Sequence, residues 1–294
     1  MIRILFLKYT EIFLNFLWLF LQAKRYFALL TISIFVFLGS CEKATDWELN
    51  NTPLNTIVVE AMLTNEFKTQ VIRLSHPVAE LNDVPQPLQQ AKISVGWQNT
   101  SIDFVESDTL PGTYVSHEPF AAAVDQEYFL TIETDTLTYN ASTYMVPVFP
   151  FESPAFQFRN GMYSLDWNNP MYSPFEQAMY EALISWDHLE GYEHPDSVAV
   201  AHLRHITLNT IDVSYIIFPQ DAEEVFFPAG SIIVISKYSL NDHYAAYLRA
   251  MLSETQWQGS LFESPRGNLP GNISNGGLGY FSACAVIRDT LVVE

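Results

Sequence analysis

The sequence predicts a mainly β protein: an N-terminal immunoglobulin-like β-sandwich followed by a second β-rich domain that carries one amphipathic helix. Short runs rich in Val, Ile, Phe, Tyr and Thr recur between clusters of turn residues, which is the signature of strands and hairpins. About seven such runs fall within roughly 100 residues, the strand density of a sandwich. A single stretch, within 239–257, carries its apolar residues at helical spacing instead.

The expected strands run, in order, over 56–63 (TIVVEAML), 69–75 (TQVIRLS), 91–98 (AKISVGWQ), 101–107 (SIDFVES), 112–116 (GTYVS), 126–134 (QEYFLTIET) and 137–143 (LTYNAST). Turns fall at TNEFK, QNT and TDT, and the longest loop is 76–90. Pro111 and Gly112 in LPGTYVS make a turn that leads into an alternating strand. No Cys-Trp-Cys pattern is present, so burial alone has to hold such a sandwich together.

Pro147, Pro150 and Pro154 make 145–156 a stiff extended connector, and two domains, 55–148 and 149–294, are expected to meet there. Further strands are expected at 162–167, 179–186, 198–210, 213–218, 230–238 and 279–293. Between the last two, Tyr244, Tyr247, Leu248, Met251 and Leu252 line one face of a helix. Ser239 with Asp242 three residues on reads as a capping-box-like start.

Residues 1–40 contain two apolar blocks, 12–21 and 26–38, each too short for a bilayer core that takes roughly 20 residues to cross. The second follows Lys24 and Arg25 and ends in Leu38, Gly39, Ser40 and Cys41, which resembles the lipobox of a bacterial lipoprotein signal. That resemblance implies diacylglycerol on Cys41 and cleavage before it, with 41–54 as a polar tether. The competing reading is an N-terminal membrane helix that runs through residue 40. The block before Lys24 is surplus to such a signal, and initiation near Ala23 would explain it. Cys284 is the only other cysteine, so an acylated Cys41 rules out an intramolecular disulfide; its apolar, alternating neighbours suit a buried strand thiol.

Charge narrows the partners. Residues 1–40 hold four of the 14 Lys plus Arg and one of the 33 Asp plus Glu, so the chain from 41 onward carries 10 against 32, a formal charge of −22. A body this acidic is repelled by phosphate, and counterion release needs basic side chains that it lacks. Nucleic acid is therefore not an expected partner. Adhesion to anionic lipid is opposed too, so membrane attachment is expected to be covalent or transmembrane.

No G-x-S-x-G, H-E-x-x-H, Walker loop or dinucleotide glycine pattern occurs, so neither an enzyme nor a cofactor is expected. The densest polar cluster, DHLEGYEHPD, offers His188, Glu190 and His194 as weak metal candidates; the alternative is a solvated hairpin loop. His202 and His205, three apart in a strand, point to opposite faces and do not converge on an ion. Asp221, Glu223 and Glu224 lack the regular ligand alternation of a Ca²⁺ loop and read as an acidic turn. Trp167, Asn168, Tyr172 and Phe175, in DWNNPMYSPFEQ, are candidate contacts for a sugar or a partner, against core burial as the alternative. GNLPGNISNGGLGYF has no Lys and reads as a turn or loop rather than a phosphate cradle.

CEKATDWEL, IVVEAMLTNE, VIRLSHPV, LPGTYVS and NISNGGLGYFSA together resemble a family of Bacteroidetes lipoproteins known as a domain of unknown function, DUF4249. The resemblance covers essentially the whole chain after the signal. It implies an outer-membrane, often surface-facing lipoprotein, commonly encoded beside a TonB-dependent transporter. Relatives tend to have Gly where this chain has Ala61 and Gln90. The expected function is therefore that of a non-enzymatic, lipid-anchored accessory or substrate-capture partner of such a transporter, with a cell-surface adhesin or glycan-binding lipoprotein as the alternative.

Overall fold

Alternation of side chains lays down the strands. In Glu127–Glu133 and Thr138–Tyr144 every second residue is buried and the residues between are exposed or half-exposed, the period of a sheet with one face on a core. The computed structural model describes residues 56–78, 83–166, 172–192, 199–209, 224–255 and 269–294. In the N-terminal half these hold β1 (Val58–Thr64), β2 (Val71–Ser75), β3 (Lys92–Trp97), β4 (Thr100–Glu106), β5 (Thr113–Ser116), β6 (Glu127–Glu133) and β7 (Thr138–Tyr144). Then follow β8 (Ala155–Arg159), β9 (Met162–Asp166), β10 (Ala178–Ser185), β11 (Val200–Thr207), β12 (Phe226–Phe227), β13 (Ile232–Ser239), the helix α1 (Asp242–Thr255), β14 (Leu278–Cys284) and β15 (Val286–Val292). The class is mainly β, as the sequence predicts.

The seven strands expected in the sandwich are β1 to β7. With β14 they form one continuous sheet in the order β14-β1-β2-β5-β4-β3-β6-β7. β4 pairs with β3 from Thr100 to Phe104 and with β5 from Phe104 to Glu106, so it turns the sheet around its core at a corner. Buried side chains from all eight strands fill that core, among them Val59, Ile72, Val95, Phe104, Tyr114, Leu130, Tyr139 and Phe281.

Segment 272–275 closes the roll. Asn272 Nδ2 donates to the Ser142 carbonyl on β7 and to the Phe281 carbonyl on β14, and its Oδ1 accepts the Phe281 N–H. Ser274 exchanges two more bonds with Asn140. The two ends of the strand order are thereby stitched together, which leaves fewer open backbone groups for unwanted pairing.

β11, β10, β13 and β15 make a second, antiparallel sheet in that order, and β12, β9 and β8 make a third. Phe227 on β12 is fully buried. Its ring meets Phe156 on β8 edge-on at 6.5 Å and lies 6.5 Å from Trp186, so these small strands and the second sheet share a core with Ile184, Ile233 and Ile235. β8 and β12 are not expected from the sequence. β8 lies where three prolines signal a connector, and β12 adjoins the acidic turn; each is held by its Phe rather than by an alternating run.

The run expected as one strand, 279–293, is two. β14 pairs in parallel with β1 in the first sheet, and β15 pairs with β13 in the second. The chain changes sheets at Ala285, which is buried. Ser239, at the end of β13, holds that junction: its N–H donates to the Ala285 carbonyl, its Oγ accepts the Ala285 N–H at 2.9 Å, and the hydroxyl donates to Val146 of the connector at 2.7 Å. Ser239 is thus not the helix cap. Asn241 is, with its Oδ1 accepting the Tyr244 N–H at 2.8 Å, and Asp242 occupies the first turn. Two domains, 55–148 and 149–294, are expected to meet near residue 148; across that point β14 returns from the C-terminal part of the chain to pair with β1 in the first sheet.

Two left-handed residues explain features of the sequence. Gln90 has φ +62°, a conformation glycine adopts without strain. Its N–H is held by Glu106 Oε2 at 2.8 Å, and Glu106 Oε1 accepts the Gly112 N–H. Ala61, buried on β1, is paired with Phe281 and carries no such strain. Gly279 has φ +84°, and a Cβ there would lie 2.1 Å from the Val59 carbonyl oxygen. The parallel β1–β14 pairing thus depends on a bare α-carbon.

Gly279→Ala is expected to destabilise the protein by about 3 kcal/mol or more, combining left-handed strain with a backbone clash. Gly276→Ala, at φ +76° with open space around it, should cost only about 1–2 kcal/mol. Guanidinium unfolding of the two variants measures the difference.

Candidate functional site

The edge of the rolled sheet, the connector after it and the start of α1 converge on an open cleft of about 820 Å³. Local structure dictates each wall. β7 alternates, so Ser142 and Tyr144 face outward while Thr143 faces the core. Tyr144 is 42% exposed and donates from its hydroxyl to Asp125 at 3.2 Å. Glu127, opposite Tyr144 on β6, faces outward beside it.

The connector supplies Pro147 and Phe149, the latter 56% exposed. A buried ion pair fixes it. Lys237 on β13 is 2% exposed; its ammonium lies 2.6 Å from Glu176 and donates to the Phe149 carbonyl at 3.0 Å. Glu176 in turn accepts the Phe149 N–H through its other oxygen at 3.2 Å, and the Tyr180 ring lies 5.5 Å from the ammonium. Removing the Glu176 charge would leave the buried Lys237 ammonium without its counter-ion.

Phe175, two residues before Gln177, is 92% exposed at the cleft. Gln177 ties this loop to α1 by donating to Asp242 Oδ1 at 2.8 Å. Asn241 ties α1 to β7: its Nδ2 donates to the Tyr144 carbonyl at 2.8 Å and to Thr143 Oγ1 at 3.2 Å. Asn272, Gly271 and Tyr280 line the cleft too, as do the exposed Asn209 and His243.

Of the residues singled out in the sequence, Phe175 lines this cleft. Tyr172 is 41% exposed and forms a parallel bridge to Leu208. Trp167, Asn168, Cys41 and the segments 1–40 and 41–54 lie outside the described residues, as do His194, Asp221, Glu223 and the strand expected at 213–218. His188 and Glu190 are exposed, and His188 Nε2 donates to the Gly230 carbonyl at 3.1 Å. Among the described residues no three His, Cys, Asp or Glu side chains gather as a metal site. Glu224 faces Ser164 at 3.3 Å and Arg159 at 3.8 Å. His202 is exposed beside Glu181 while His205 is partly buried against Tyr180, on the other side of the strand. No described helix is long and apolar enough to cross a membrane.

Tyr144, Phe149, Glu127 and Asp242 are not singled out in the sequence as site residues. The alternation TYNASTY does place Tyr144 outward, and a Phe between two prolines is poorly placed for burial. Their convergence comes from the chain crossing between sheets, which no local pattern records.

Behind the cleft, Tyr280 lies 4.9 Å from both Tyr244 and Tyr247, ring to ring. Burial pushes Tyr280 up to about 12, with the nearby Cys284 adding to the shift, and pushes Tyr244 up further. Cys284, fully buried between α1 and the second sheet, is raised to about 12 by desolvation, partly offset by the Ser282 hydroxyl. In the unfolded chain these groups ionise near 9 to 10. Between about pH 9 and 12 the unfolded state therefore releases protons that the fold retains, so stability is intact below pH 9 and falls as pH rises, by up to about 1.4 kcal/mol per unit for each group. A chemical-denaturation series across that window checks the slope.

A family model described as "Domain of unknown function (DUF4249)" matches residues 42–290. No curated protein matches the chain significantly.

Proposed function

The chain belongs to the DUF4249 family, and from that premise we propose that it is a non-enzymatic lipoprotein, anchored in the outer membrane through Cys41, that captures a ligand and works with a TonB-dependent transporter. One observation carries the capture role: an 820 Å³ cleft holds Phe149 and Phe175 exposed on a framework of charged and amide bonds that keep its walls in place. That volume lies in the range of small-ligand sites. Aromatic rings left in water are costly unless something covers them, and here two exposed Phe rings and the exposed Tyr144 line one cleft.

The anchor is supported by the lipobox at 38–41 and by the acidity of the body, which needs a covalent tie to stay at a membrane. A lipid on Cys41 places the cleft on a tethered domain, where a transporter in the same membrane meets it at high effective concentration. The absence of recognised catalytic patterns supports capture over turnover.

Two measurements test this. Purification from membranes solubilised in mild detergent should recover a TonB-dependent barrel with the lipoprotein; recovery of the lipoprotein alone contradicts the partnership. Because Cys284 is buried, the native protein should show almost no thiol reactive to Ellman's reagent, and in guanidinium a single thiol per chain should appear. Two thiols on denaturation would mean that Cys41 is free.

A further inference from the structure

The cleft's free chemistry is narrower than its composition suggests. Asn241 and Asn272, the amides most suited to reading hydroxyl groups, are spent on the fold. Both Nδ2 hydrogens of each donate to protein acceptors, and both Oδ1 atoms accept backbone N–H groups. Gln177 is engaged with Asp242. What remains open to a ligand is aromatic surface on Tyr144, Phe149 and Phe175, carboxylate on Glu127 and on the Asp242 oxygen that Gln177 does not hold, and the exposed side chains of Asn209 and His243.

The charged side chains at the cleft are all carboxylates, with the His243 imidazole beside them. No Lys or Arg is among the described residues that line the cleft. Lys237, whose partners Glu176 and Phe149 line the cleft, is itself buried and committed to them. Asp125, which holds the Tyr144 hydroxyl, adds a further carboxylate at the rim. Ring faces carry negative potential, so aromatic and acidic groups together select one ligand charge.

We propose that this cleft binds an organic cation: a protonated amine or guanidinium on an apolar stem, with the stem against Phe149 and Phe175 and the charge at Glu127 and Asp242. Basic oligopeptides and polyamines both present this chemistry. The proposal names the ligand class for the capture reading above and rests on it only for the fate of the ligand. A neutral sugar would need more donors and acceptors than Asn209 offers once Asn241 and Asn272 are committed to the fold.

The test is calorimetric titration of the full chain in nonionic detergent, at physiological salt, with trilysine, spermidine and maltotriose. Saturable binding of trilysine, spermidine or both is expected, and which of them binds separates a peptide from a polyamine. Glu127→Gln combined with Asp242→Asn should weaken that binding about five- to tenfold. Phe175→Ala, at a side chain too exposed to affect folding, should weaken it about threefold. Glu133→Gln removes the same charge about 20 Å along β6 and should leave affinity unchanged. The proposal is overturned by an absence of saturable cation binding, by equal weakening from Glu133→Gln, or by Phe175-dependent binding of maltotriose in its place. Cation binding that persists without a co-purifying barrel would remove the transporter reading and leave the site standing.

Discussion

Two strands that follow one another without a turn, β14 and β15, tie the molecule together. The first lies in parallel on β1, the second antiparallel on β13, and between them is the single buried residue Ala285. A parallel partner needs a long crossover connection, and here that crossover is everything from the end of β1 to residue 278. Neither sheet completes its strand set without this run. Ser239 holds the switch with three hydrogen bonds, and Asn65 Oδ1 adds another to the Val286 N–H at 2.7 Å. Such a buried polar junction is costly if any member is left unpaired, so it specifies one arrangement of the sheets.

The cleft follows from that arrangement. Because the sheets are joined along β14 and β15, the end of β7, the connector at 146–149 and the start of α1 are brought to the same edge. Side chains with no local reason to meet are then locked there: Lys237 to Glu176 and Phe149, Asn241 to Thr143 and Tyr144, Asn272 to Ser142 and Phe281. These groups spend their hydrogen-bonding capacity on geometry, which leaves the rings and carboxylates to face solvent. The rigidity of the wall, and the ligand class we propose for it, therefore rest on the same polar residues, used for the wall rather than for contact.

Much of this is legible in the sequence, and the failures have physical causes. The strands of the first sheet are readable because one face is buried and the alternation survives in EYFLTIE and TYNASTY. The helix is readable from its apolar stripe, although its cap is not, since both Ser239 and Asn241 are competent caps and only the tertiary demand of Ala285 takes Ser239 away. β8 and β12 carry too few alternating positions to register. The run 279–293 looks like one strand because both sheets ask for the same residue types, and only the pairing partners reveal the switch. Phe175 could be picked out as an exposed aromatic, whereas Glu127 and Tyr144 gain meaning only when residues more than 90 positions away close the cleft around them.

Native-state hydrogen exchange as a function of denaturant tests the shared-strand account most directly. Amides of β3 and β6 in the first sheet, and of β10 and β13 in the second, should open with the same free energy and the same denaturant dependence, because neither sheet keeps its β14–β15 run when the other unfolds. If the second sheet exchanges at low denaturant while the first stays protected, the two are independent domains and the coupling through Ala285 is wrong.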